Sequence, residues 1–306
     1  MKWWILGALA ALLLAGLAWA YDPDKPRAGL EARYAGPPST FGELMALRLH
    51  IRDTGPRDAP AILFIHGFGS SLHTWEDWAR GLEDRYRVIR LDLPGFGLTG
   101  ADPTGDYSDQ RAFALLAALL DRLGVARAHV VGSSMGGRIA WGFAAARPER
   151  VDRLVLMAPD GFASEGRDYD RPPARLPWIG HVLPYTLPRP LLRPMLRNVY
   201  ADPSVMTDAL LERYRDMLLA PGVRAAILRR MATSLLVRPE PILATIRAPT
   251  LLLWGDSDRA IPASHAEDYR RVLPESQVVV LPRMGHAPME ERPAEGLAAL
   301  RAFLGG

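Results

Sequence analysis

Gly132-Ser133-Ser134-Met135-Gly136 stands between a strand-like run, Ala128–Val131, and a helix-like run, Met135–Ala146. A serine on so sharp a turn projects its hydroxyl clear of the backbone, and a glycine on either side allows the close approach that the turn demands. A serine hydroxyl is a weak nucleophile until a base takes its proton, so a histidine and an orienting acid are expected elsewhere in the chain. Of the seven histidines, His286 has the right address. It lies in Arg283-Met284-Gly285-His286-Ala287-Pro288, directly after the last strand-like run, where a side chain reaches over the carboxyl ends of a parallel sheet. His50, His129, His181 and His265 read as structural or exposed, and His73 as a loop residue near the pocket. The acid is expected in Gly255-Asp256-Ser257-Asp258, after the run Thr250–Trp254. Asp258 is expected to face His286, fix its tautomer and stabilise the imidazolium; Asp256 is expected to bond the turn backbone. His66-Gly67-Phe68-Gly69 supplies a glycine-rich loop in which the Phe68 amide, together with that of Met135, would hold an oxyanion. The Met135 amide also heads a helix, which adds partial positive charge. His66 is expected to brace this loop. The chemistry implied is attack on an acyl carbon.

These residues need a frame. Strand-length apolar runs recur at Leu47–Ile51, Ala61–Ile65, Arg87–Leu91, Ala128–Val131, Arg153–Met157, Thr250–Trp254 and Gln277–Leu281. Between many of them lie helical stretches: Asp109–Leu123, stopped by Gly124, then Met135–Ala146, Pro262–Val272 and Pro293–Leu304. This alternation predicts an α/β fold with a mostly parallel sheet covered on both faces. Phe162 to about Pro241 breaks the pattern with proline, arginine and large apolar residues, and reads as a helical insertion, a lid spanning 161–241 between core segments 46–160 and 242–306. Its apolar residues, among them Trp178, Ile179, Val182, Leu191, Leu192 and Met195, would line an acyl pocket or form the lid's own core.

The amino terminus is an unbroken apolar run, Trp3–Ala20, after Lys2 and before Asp22 and Asp24. That is one membrane span. Ala18-Trp19-Ala20 also has the small-x-small form of a signal-peptidase site. Residues 1–20 are therefore read as an uncleaved anchor or, as the alternative, a signal removed on secretion, and 21–45 as a linker. Either reading places the globular part outside the cytoplasm, in the periplasm if the source is bacterial. Net charge is +3, with arginines scattered among acids and no basic run, which argues against nucleic acid as a partner. The chain has no cysteine, so disulfides, thiolate metal sites and a cysteine nucleophile are excluded. The absence of a phosphate-type glycine loop or a histidine-rich cluster leads us to expect no cofactor and no metal.

HGFG, DLPGFG at Asp92–Gly97, GSSMGG, WGDSD and MGHAPMEERP occur in this order between Leu47 and Leu304. The chain resembles the α/β-hydrolase superfamily. The resemblance implies an eight-stranded sheet with a lid after strand six, and carries the nucleophile onto Ser134, the acid onto Asp258 and the base onto His286. GSSMGG and LMAPDGF are also similar to the serine carbon–carbon bond hydrolases of aromatic ring cleavage. Those enzymes usually have asparagine where this chain has Ser133 and an aromatic residue where it has Ala287. The expectation is therefore a carboxylesterase or lipase-like serine hydrolase of small lipophilic acyl substrates. Cleavage of a carbon–carbon bond in a vinylogous diketone is the alternative, and a non-catalytic binding protein on this scaffold the third reading.

Overall fold

The computed structural model describes residues 2–163, 169–170, 180 and 182–305. Trp178, Ile179 and His181, assigned above to the lid, lie outside the described residues. After an N-terminal helix α1 (Lys2–Ala20) and a short α2 (Arg27–Tyr34), the chain enters the sheet through β1 (Ser39–Leu44), β2 (Leu47–Thr54), β3 (Ala61–Ile65) and β4 (Arg87–Leu91). It continues through α4 (Asp109–Arg122), β5 (Ala128–Ser133), α5 (Met135–Ala146) and β6 (Val151–Met157), with α3 (Glu76–Arg80) between β3 and β4. Helices α6 (Arg189–Leu196), α7 (Asp208–Leu218), α8 (Val223–Thr233) and α9 (Glu240–Leu243) separate β6 from β7 (Thr250–Gly255). The chain closes with α10 (His265–Val272), β8 (Gln277–Leu281), α11 (Pro288–Glu291) and α12 (Pro293–Leu304).

The sheet has eight strands in the order β1-β2-β4-β3-β5-β6-β7-β8; β1–β2 and β2–β4 pair antiparallel and every other pair is parallel. Its central strands read as continuous apolar runs because they are buried on both faces. Along β3, Leu63 and Ile65 pack with α4 and α5 residues such as Leu115, Leu119, Ile139 and Phe143, while Ile62 and Phe64 pack with Trp75, Trp78, Leu300 and Phe303 on the other side. Each such buried side chain contributes about 1.5–3 kcal/mol.

Two expectations need correction. The stretch 21–45 is not a featureless linker, since it contains α2 and β1. Helix α2 buries only Leu30, and β1, Ser39-Thr40-Phe41-Gly42-Glu43-Leu44, has no buried residue, so neither produces an apolar signal. They form because β1 pairs with β2 over six residue pairs and Arg48 binds Glu31 at 2.5 Å. Helix α10 begins at His265, because Pro262 to Ser264 form a turn first.

Candidate active site

Strand register sets the site. Ile65 pairs with Gly132, Ser133 with Met157, and Gly255 with Leu281, so the carboxyl ends of β3, β5, β7 and β8 finish on one edge. The loops that follow them carry His66–Gly69, Ser134, Asp258 and His286. Ser134 has φ +54° and ψ −122°, a conformation that a side-chain-bearing residue adopts only under constraint. The constraint is close packing: a Cβ on Gly136 would meet the Ile65 carbonyl oxygen at 2.3 Å and that of His66 at 2.4 Å. The elbow is thereby wedged against the end of β3.

His286 Nδ1 donates to Asp258 Oδ2 at 2.7 Å. Asp258 is buried, and its other oxygen accepts the Ala260 and Ile261 amides at 2.8 and 2.9 Å, which fixes the carboxylate. With Nδ1 so occupied, Nε2 is the ring atom left for Ser134. Ser134, His286, Gly67 and Phe68 line one cavity of about 310 Å³ together with Leu192, Met195, Leu196, Val199, Leu218 and Met289. A larger cavity, about 680 Å³, lies on the outer flank of α4, α5 and α9 and contains neither Ser134 nor His286. The Phe68 and Met135 amides donate to no protein acceptor among the described residues.

The other expected residues are accounted for. Asp256 is exposed and accepts the Ser257 hydroxyl at 2.7 Å, and His286 pairs with Asp258 instead. His66 braces its loop: Nδ1 donates to the Gly67 carbonyl at 2.8 Å, while Nε2 accepts the Leu93 amide at 2.9 Å. His73 lies beside Thr74, which lines the cavity, but does not line it itself. It is buried against Ser71 and Tyr34, and burial lowers its pKa to about 4. Asp92 binds His50 at 2.7 Å and accepts the amides of Leu72 and Leu98. Burial alone would raise its pKa, but His50, His73 and His66 hold it well below the usual range. Ser39 lies 2.9 Å from His50 Nε2, so Ser39, His50 and Asp92 repeat the contact order of a triad. Ser39 starts the edge strand β1, however, and its oxygen already accepts Arg52 Nε at 2.9 Å.

Sequence reasoning missed the residues behind His286. Glu291, buried, accepts the Gly285 amide at 2.7 Å and the Asp202 amide at 2.8 Å, and the His286 amide donates to Val199 at 2.7 Å. Glu290 accepts Tyr200 at 2.6 Å, Tyr214 at 2.8 Å and Arg213. The only sequence signal was two carboxylates a few residues beyond the histidine.

A family model for the alpha/beta hydrolase fold matches residues 60–293. The chain belongs to the α/β-hydrolase fold family. It is 34% identical over 271 residues to a 2-hydroxy-6-oxononadienedioate/2-hydroxy-6-oxononatrienedioate hydrolase of Paraburkholderia phymatum, covering 85% of this chain and 91% of the relative. A membrane phospholipase A described as a bacterial virulence factor is similar in structure, with TM-score 0.74, 31% identity and coverage of 99% of this chain and 98% of that one. A meta-cleavage product hydrolase, CumD, gives TM-score 0.73 at 25% identity, covering 87% and 97%. The family member is thus a hydrolase, with an N-terminal apolar helix that fits a membrane anchor or a signal peptide.

Proposed function

We propose that this hydrolase works through Ser134, with His286 as base, Asp258 as its orienting carboxylate and the Phe68 and Met135 amides as oxyanion donors. The observation that carries this is the strained elbow of Ser134 opening on the same cavity as an Asp258-held His286. Ser134 Oγ adds to a carbonyl carbon as His286 Nε2 takes its proton. The two amides hold the resulting oxyanion, and His286 returns the proton to the departing group. Water then repeats the sequence on the acyl-enzyme. The curated relatives, named as hydrolases of 2-hydroxy-6-oxo dienoates and dienedioates, and the solved meta-cleavage product hydrolase favour the carbon–carbon bond over the ester, which reverses the order expected from the sequence. In that reading the departing group is a dienolate that accepts the proton at carbon.

Ester cleavage is kept as a second reading by two observations. The match to the membrane phospholipase spans 99% of the chain, α1 included. Moreover, the described residues lining the cavity include no lysine or arginine, whereas a dienedioate brings two carboxylates to be neutralised. The test is turnover of a vinylogous 1,5-diketone beside a lipophilic ester, by the wild type and by Ser134→Ala. Loss of either activity in the variant assigns the bond; activity of the variant equal to wild type would remove Ser134 from the mechanism.

A further inference from the structure

We infer that the outer face of α6 lies in the surface of an anionic phospholipid bilayer, so that the roof of the catalytic cavity and α1 contact the same membrane. The inference rests on α1 being a membrane span. Trp3–Ala20 is 18 residues long, about 27 Å of helix, close to the hydrocarbon thickness of a bilayer. Trp3 and Trp4 mark one end and Trp19 and Tyr21 the other, all exposed, where aromatic side chains collect at the two interfaces. The span therefore leaves the bilayer at Trp19–Tyr21.

The chain does not swivel at that point. Tyr21 bridges Thr186, and the Asp22 amide donates to the Tyr185 carbonyl at 2.8 Å. Asp22 pairs with Arg215 and Asp24 with Arg224, while Lys25, Arg33 and Tyr34 converge on buried Asp216. Tyr185 is thus tied to the first residues beyond the span, at the level of the interface. From there an apolar surface continues: Tyr185 is 59% exposed, and Leu191 and Met195 on α6 are 53% and 61% exposed. Arg189, Arg193 and Arg197 follow at four-residue intervals, and α6 contains no acidic residue. Two residues are about 200° of helix, so the arginines stand on the flank opposite Leu191 and Met195, with Arg193 3.8 Å from Asp208. A short helix with apolar side chains on one flank and arginines on the other suits the headgroup region of an anionic bilayer. The same short helix buries Leu192 and lends Leu192, Met195 and Leu196 to the cavity wall. A lipophilic substrate can then pass from lipid to Ser134 without crossing water.

Because the chain has no cysteine, single cysteines can carry a nitroxide. Leu9→Cys in α1, Leu191→Cys in α6 and Val280→Cys on exposed β8 would be labelled in the full chain. Each would be reconstituted in vesicles of phosphatidylethanolamine and phosphatidylglycerol. Relaxation by oxygen, which concentrates in lipid, is compared with relaxation by a water-soluble nickel chelate. The expected result is an oxygen-to-nickel ratio at positions 9 and 191 several-fold above that at 280. If position 9 reads as lipid and 191 reads like 280, the span stands and the α6 surface is overturned. If position 9 itself reads as water, the span fails and takes the inference with it.

Discussion

Ser134 holds an unfavourable backbone conformation because its neighbours leave it no other. Gly136→Ala places a methyl group within 2.4 Å of two carbonyl oxygens at the end of β3. The expected cost is at the upper end of the roughly 1–3 kcal/mol typical of overpacking, or failure to fold, read from the denaturation midpoint. Asp258→Asn keeps the volume but loses the carboxylate that accepts from His286. It is expected to lower kcat on the order of 10³–10⁴-fold, as in serine triads generally, with a much smaller change in KM. A kcat within about twofold of wild type would move the acid elsewhere. The buried histidines make a separate prediction about pH. His73 is neutral in the fold, with Nε2 donating to Tyr34 and Nδ1 facing the Ser71 hydroxyl, and burial lowers its pKa from 6.5 to about 4. Above 6.5 neither state binds the proton. Between about 6.5 and 4 the unfolded chain takes it and the folded chain does not, so stability falls with falling pH, by about 3 kcal/mol in all. His66 is shifted in the same direction by its burial. Denaturation midpoints across this window should fall less steeply in His73→Gln; an unchanged slope would contradict the shift.

At the scale of elements, the helices between β6 and β7 are joined to the loop that carries His286 rather than hung over it. Segment Val199–Asp202 and helix α7 meet α11 through Glu290 and Glu291, and Leu192, Tyr200, Met206, Leu211 and Tyr214 share one apolar cluster with Met284, Ala287 and Met289. The wall that carries Tyr214 therefore does not open without disturbing His286. Glu291→Ala strips two amides of their acceptor, the buried one of Gly285 and the one of exposed Asp202, at about 1–3 kcal/mol for the buried one. The predicted signature is a loss of kcat that exceeds any rise in KM, since His286, the proposed base, loses its register while the cavity keeps its lining. A variant that loses stability but keeps full kcat would reduce Glu291 to a structural brace. Burial of Tyr200 and Tyr214 raises their phenolic pKa values, so both keep their protons as donors to Glu290.

For the whole molecule, the segment after α1 is part of the fold. Asp216 is almost fully buried and accepts Lys25, Arg33 and Tyr34. A chain beginning at Leu30 would lack Asp22, Asp24 and Lys25, leaving Arg215, Arg224 and Asp216 short of partners. Compared with a chain beginning at Tyr21, it is expected to unfold at lower denaturant. The difference is up to the 3–5 kcal/mol that breaking a buried pair costs. Equal midpoints would show the contacts to be dispensable. Cutting after Ala20 leaves these contacts intact, so the stem would remain docked whether or not α1 is retained.

The order of local patterns was legible in the chain alone. Strands buried on both faces must be largely apolar, so β3 and β4 were bounded to the residue; the exposed edge strand β8 and helices α5 and α12 were bounded to the residue too, from their own apolar runs. The glycines flanking Ser134 marked the elbow because no larger residue fits there. The choice of Asp258 over Asp256 was an expectation from the turn, and the fold of that turn is what separates them: beyond β7 the Asp258 carboxylate accepts the Ala260 and Ile261 amides and meets His286, while the Asp256 carboxylate, two residues earlier, is exposed. The edge strand β1, the docked stem and the carboxylates behind His286 were decided by tertiary structure. β1 pairs with the neighbouring β2 but buries no side chain, so it carries no apolar pattern. The partners of the stem and of the two carboxylates lie far along the chain, at Asp202, in α7 and in α8, and no local pattern of apolar residues records a polar contact made across that distance.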